Sequence, residues 1–316
     1  MRGLALDLRR PWAEPLAVAR ALVLAVAGSC VAFVAVGLAT AAAWLSGGSA
    51  HGLDFWFKEV GGPLLTVYAL VEMAAAAWVM RWYGPGEPLR SAWLLLSAAG
   101  GVHAVSMFFR HWLAVPIAVN PLPVSGTASW QPVLAEFGHV LGGTLYLLLL
   151  AAGLTMALRV HARFGLLRRP SGEDWMALLG AACFFTYTLH SFAFWLGAAG
   201  VRRTALWWIG WLTDPLLGWL LVLSVLLARA AAPLRGGLLA RPWQAYFGAA
   251  ALTCAGSFCV ELQNTDLVPS RLLWPSWFVW HPAAALAALA PLLQLDAVRR
   301  LITAPDGAAG EPRAAG

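Results

Sequence analysis

The sequence predicts an all-α, polytopic integral membrane protein with eight transmembrane helices. Three observations carry this reading. Hydrophobic residues fill 60% of the 316 positions and charged residues only 11%, against about a quarter charged in soluble domains. Apolar runs close to the roughly 20 residues that cross a bilayer recur along the whole length. The charges collect between those runs.

Residues 1–15 form a polar segment bearing Arg2, Arg9 and Arg10, followed by an eight-span membrane domain over 16–300. The first span covers 16–45. It contains Ala27-Gly28-Ser29-Cys30, which resembles a lipoprotein cleavage box, but apolar sequence continues past it, as in an uncleaved span. Spans two to four are expected at 61–83, 92–114 and 131–157, and spans five to eight at 175–198, 205–228, 243–261 and 275–295. A connection over 115–130 with three prolines reads as an interfacial loop. Residues 301–316, rich in Pro, Gly and Ala, read as a disordered tail.

Charge sets the expected orientation. Sixteen cationic residues fall on one side of the eight spans, and Lys58, Arg110, Arg202, Arg203 and Arg271 on the other. Cytoplasmic loops carry the excess of Arg and Lys, so both termini are expected in the cytoplasm. Twenty Arg against one Lys, with two Asn in all, fits a GC-rich bacterial genome and hence a bacterial inner membrane. The net charge of +6 is explained by topology rather than by nucleic-acid binding. Most of the 18 Trp fall near expected span ends, as in an aromatic belt.

Other classes lack their motifs. The four Cys form no CxxC pair, so neither a disulfide framework nor a zinc knuckle is indicated. Late spans carry no Lys for a retinal Schiff base. There is no Walker loop, GxGxxG fingerprint or GxSxG elbow. Gly100-Gly101 and Gly142-Gly143 are expected to allow close helix packing.

Ionisable residues inside a membrane are costly and so point to function. Glu72 and His103 fall near the middle of spans two and three. Glu136 and His139, His190, Asp214 and His281 fall toward the outer ends of spans four, five, six and eight. Glu136 and His139 are three residues apart, hence on one helix face. This bias predicts one polar site, or two neighbouring ones, opening outward. Asp214-Pro215 and His281-Pro282 add expected helix breaks, because proline removes a helical hydrogen bond. Glu72 to Asp214 and His139 to His281 are equal sequence offsets, which raises a parallel repeat of two four-helix halves.

Three functions are expected from this constellation. The first is cofactor binding for redox chemistry or cofactor handling. His103, His139, His190 and His281 would supply axial ligands to a haem b. Glu136, His139, His190 and His281 would supply ligands to a copper or zinc ion. Eight spans with inward histidines resemble, in architecture alone, haem-handling membrane enzymes such as haem A synthase. That family's Glu-His-x-His-Arg signature is absent here. Glu136-x-x-His139 is half of a di-iron motif whose second copy is also absent. The second is a proton-coupled transporter with Glu72, Asp214 and His103 as relay. The third is a ligand- or lipid-binding protein using Tyr187, Phe194, Trp195 and Trp280. A quinone or other small molecule is the expected partner beside the bilayer.

Overall fold

The structure, a computed structural model, describes residues 15–48, 52, 55–112, 130–167, 171–197, 205–264 and 278–303. The N-terminal segment before Pro15, the 115–130 connection before Trp130 and the tail beyond Thr303 lie outside the described residues. All regular structure described is helical. In chain order there are α1 (Pro15–Leu45), a π-helical turn (Trp56–Gly61), α2 (Gly62–Met80), α3 (Pro88–Trp112) and α4 (Trp130–Arg163). They are followed by α5 (Gly172–Gly197), α6 (Ala205–Trp211), α7 (Thr213–Ala231), a 3-10 segment (Leu234–Ala240), α8 (Arg241–Asn264) and α9 (Trp280–Thr303).

Six helices close a ring. α3 packs between α2 and α4, α7 joins α4 to α8, and α9 joins α8 back to α2. α1 lies outside the ring against α9, and α5 lies outside against α7. These two are accordingly the most exposed of the long apolar helices.

Helices gain no hydrophobic drive from meeting each other in lipid, so close packing must hold them. Glycine supplies it on both flanks of α3. A Cβ on Gly100 would stand 2.7 Å from the backbone nitrogen of Met73 on α2. A Cβ on Gly142 of α4 would stand 2.8 Å from Cβ of Ser106 on α3. Both expectations for close packing are met, although Gly143 faces open space.

The described residues contain seven helices long and apolar enough to cross a membrane, not the expected eight. The exception is α8, the expected span seven. Its 24 residues have the length, and Val260, Glu261, Gln263 and Asn264 at its end carry side chains outside the described residues. Span six is interrupted beside Asp214-Pro215 at one residue, Leu212, which keeps helical dihedrals: α6 ends at Trp211 and α7 begins at Thr213, where the Thr213 hydroxyl donates to the Gly210 carbonyl, while Trp208–Ala231 still runs as one helix of crossing length. At His281-Pro282 the described residues pass from a 3-10 pair at 278–279 into α9 at Trp280, and residues 265–277 lie outside them. Pro282 falls in the first turn of α9, where no intrahelical N–H is lost. α9 also runs beyond the expected end at 295. Asp296, nearly buried, accepts from Arg300 Nε at 2.7 Å and Arg299 Nη2 at 3.4 Å, which lets the last turns carry charge.

Candidate functional site

Three buried carboxylates distinguish themselves by their partners. Asp296 holds Arg299 and Arg300, and Asp174 holds Arg229 Nε at 2.9 Å. Asp174 also accepts from the Ser171 amide at 2.6 Å and its hydroxyl at 3.0 Å, capping the start of α5. Both lie at helix ends carrying the arginine excess. Glu72 lies in the middle of α2, 1% exposed, and no cation pairs with it among the described residues. Its Oε1 is buried without a hydrogen-bond partner. A buried charge is tolerated only when paired, and a buried polar atom normally finds a partner. Glu72 Oε1 departs from the second rule.

The ring surrounds it with polar aromatics. The Tyr246 hydroxyl of α8 approaches the Glu72 carboxyl and interacts with it, yet closes no hydrogen bond of normal geometry. Tyr146 of α4 lies within electrostatic reach of Glu72 and of Tyr246. The imidazole of His103 on α3 stacks on Tyr146, with ring centroids 4.3 Å apart and planes 21° apart. His103 Nδ1 is also buried without a partner. Four helices of the ring thus converge four proton-bearing side chains, three of which hold partnerless polar atoms.

The packing glycines explain this convergence. Gly100 brings α3 against α2 at Met73, the residue after Glu72. Gly142 brings α4 against α3 at Ser106. Tyr146 is one turn beyond Gly142 and His103 nearly one turn before Ser106, so the rings meet where the helices touch.

The remaining expected residues are distributed elsewhere. His281, at the start of α9, is buried; its Nε2–H donates to the Gly61 carbonyl at 3.2 Å, and its face lies 3.9 Å from the Phe33 ring centroid. Phe57 meets it edge-on at 5.8 Å. Gly61 closes the π-helical turn, a distortion common at functional sites. His190 is exposed on α5, outside the ring. Glu136 and His139 fall on α4 and Asp214 on the first turn of α7, with side chains outside the described residues. Phe194 and Trp195 are outside them likewise. Tyr187 packs edge-on against Phe258 of α8 at 4.6 Å. Among the described residues, no three His, Cys, Asp or Glu side chains come close enough together to hold a metal ion.

Sequence reasoning missed Tyr146 and Tyr246. The chain uses five Tyr against 18 Trp and 14 Phe, and the structure buries Tyr68, Tyr83 and Tyr246 almost fully, a burial the sequence does not show. A hydroxyl retained in so apolar a core asks for a polar neighbour.

A second feature sits at the arginine-rich end. A pocket of about 100 Å³ opens there between the end of α4, the 3-10 segment, α8 and α9. It is mostly apolar, with His161, Gln294 and Tyr83 as its polar members. His161 Nδ1–H donates to the Ala157 carbonyl at 2.8 Å. Gln294 Nε2–H reaches the Tyr83 hydroxyl at 3.5 Å. Tyr83 lies in the turn between α2 and α3, where burial pushes its hydroxyl up to about 12. This pocket lies at the end opposite to the outward opening expected from the sequence.

Compared with protein-family models, curated proteins and solved structures, the chain matches none of them.

Proposed function

We propose that the chain is an eight-span carrier of the bacterial inner membrane that couples movement of a small solute to a proton held at Glu72. The observation that carries this reading is the buried Glu72 carboxyl at the centre of the ring, whose Oε1 has no hydrogen-bond partner, with His103, Tyr146 and Tyr246 around it. Intramembrane carboxylates and histidines of this kind serve proton relays. Fully satisfied, the four groups would make a structural network; with open valences they can accept and pass a proton. Asp214 is assigned as the second carboxylate of the relay, beside the break between α6 and α7. α8 is taken as the eighth span because it completes the ring between α7 and α9. The arginine excess supports a cytoplasmic location for both termini.

The test is proton flux into proteoliposomes holding a pH-sensitive dye, under an imposed gradient. Wild type is expected to exceed empty liposomes and Glu72→Gln to match them. Equal flux through wild type and Glu72→Gln sinks the carrier reading.

A second reading is favoured by one observation, the partnerless Nδ1 of His103. Neutral imidazole with a free nitrogen is the ordinary ligand of haem iron, copper or zinc. A reduced-minus-oxidised visible spectrum with metal analysis tests it. A haem band or stoichiometric metal lost in His103→Leu would support it, and a featureless, metal-free wild-type sample would end it.

A further inference from the structure

Two stacked side chains of α8, Trp243 and Tyr246, lead from the pocket at the arginine-rich end to the Glu72 site. Trp243, in the first turn of α8, lines the pocket. One turn deeper on the same helix is Tyr246, whose ring stacks on Trp243 with centroids 6.4 Å apart. The Tyr246 hydroxyl then meets the Glu72 carboxyl. Along α2, Glu72 is eight residues from the helix end at Met80, roughly 12 Å at the helical rise. The pocket therefore stops about two turns short of the carboxyl.

We infer that this pocket is the water route to Glu72 from the arginine-rich side, and that the Trp243 indole is the partition that closes it. The inference rests on the reading of Glu72 as the working group of the protein. Two features of the geometry single out Trp243. Within the apolar core its ring stacks on Trp93 at 5.6 Å and meets His161 edge-on at 6.1 Å. Such contacts let a ring swing without breaking a hydrogen-bonded network. Polar groups also stand on both sides of it. His161, Gln294 and Tyr83 lie on the pocket side, and Tyr246, Glu72, Tyr146 and His103 on the inner side. Water needs two to four polar partners to occupy a cavity, and each side supplies them.

The test uses two carbodiimides on the full-length protein in oriented membrane vesicles, with modification of Glu72 read by mass spectrometry. The lipid-soluble reagent dicyclohexylcarbodiimide reaches Glu72 through the bilayer and is expected to label wild type and Trp243→Ala alike. A water-soluble carbodiimide with an amine nucleophile is expected to label wild type slowly. In Trp243→Ala its rate should rise at least tenfold, only in vesicles presenting the arginine-rich ends to the medium. An unchanged rate, or a rise from the opposite side, overturns the inference while leaving the Glu72 reading intact. Failure of the lipid-soluble reagent to label Glu72 at all counts against that reading itself and overturns both. If Trp243→Ala does not fold, Trp243→Phe carries the test: a smaller rise, about threefold, supports the partition, and the wild-type rate overturns it.

Discussion

The imidazole of His103 lies flat on the ring of Tyr146, 4.3 Å away, and so joins α3 to α4 beside the buried Glu72 carboxyl. Stacking and hydroxyl can be separated by mutation. Tyr146→Phe keeps the ring and removes the oxygen; Tyr146→Leu removes both. Stacked aromatic pairs contribute about 0.5–1.5 kcal/mol beyond area burial. Tyr146→Phe is therefore expected to keep thermal stability within about 0.5 kcal/mol of wild type and to slow proton flux. Tyr146→Leu is expected to lose both. A Tyr146→Phe protein with full flux would remove Tyr146 from the relay and leave it as packing for His103.

Gly142 and Gly143 are adjacent but opposite in consequence. A Cβ at Gly142 would press into Ser106, whereas a Cβ at Gly143 meets nothing within 4 Å. Overpacking costs about 1–3 kcal/mol, while alanine favours a helix over glycine by up to about 1 kcal/mol. Gly142→Ala is expected to lower the melting temperature in detergent and Gly143→Ala to leave it unchanged or raise it. Equal effects at the two positions would show that α3 and α4 do not approach at Ser106.

Tyr83 gives a pH prediction with a definite sign. Burial raises its hydroxyl from 10.0 to about 12, so the folded protein holds the proton more tightly than the unfolded chain does. The stabilisation is fully present below pH 10 and is lost as pH rises from 10 to 12. Two pH units correspond to about 3 kcal/mol. Tyr83→Phe cannot ionise, so its stability is expected to fall less than that of wild type across this window. Parallel pH-stability curves for the two proteins would sink the assignment.

How much of this was legible in the sequence depends on the range over which each feature is decided. Glu72 and His103 could be read directly, because an ionisable residue in a long apolar run stands out without knowledge of its neighbours. The break before Pro215 and the packing role of Gly100 and Gly142 are likewise local signals. The role of Tyr246 was not legible. It depends on α8 and α9 returning to close the ring on α2, and no residue pattern near Tyr246 encodes that. The same holds for His281. The sequence shows it beside a proline inside an apolar run, which reads as a kink. Only the structure shows that Pro282 falls in the first turn of α9 and that the His281 ring packs against Phe33 and Gly61. The arginine-rich pocket was illegible for a further reason. His161 sits between Arg159 and Arg163 in what reads as a span edge, and its burial against Trp243 is a matter of tertiary packing.

The sharpest separation of function from stability falls at Glu72. An ordinary core residue loses stability when replaced by one of different chemistry. A buried polar atom without a partner already costs the fold about 1–3 kcal/mol in desolvation, and replacing buried charged groups by apolar ones of similar volume is often neutral or stabilising. Methionine matches the length of glutamate and is flexible enough to fill the same space between Tyr146 and Tyr246. Glu72→Met is therefore expected to raise the unfolding free energy by about 1–3 kcal/mol while abolishing proton flux. Glu72→Gln keeps a polar head and is expected to gain less stability and lose flux equally. Thermal melting in detergent and flux in proteoliposomes read the two effects on the same preparation. A destabilised Glu72→Met would mean that the carboxyl is held by a bond that stabilises the bundle, and its place would then be structural. A stabilised but inactive variant is the signature of a group kept for function at the expense of the fold.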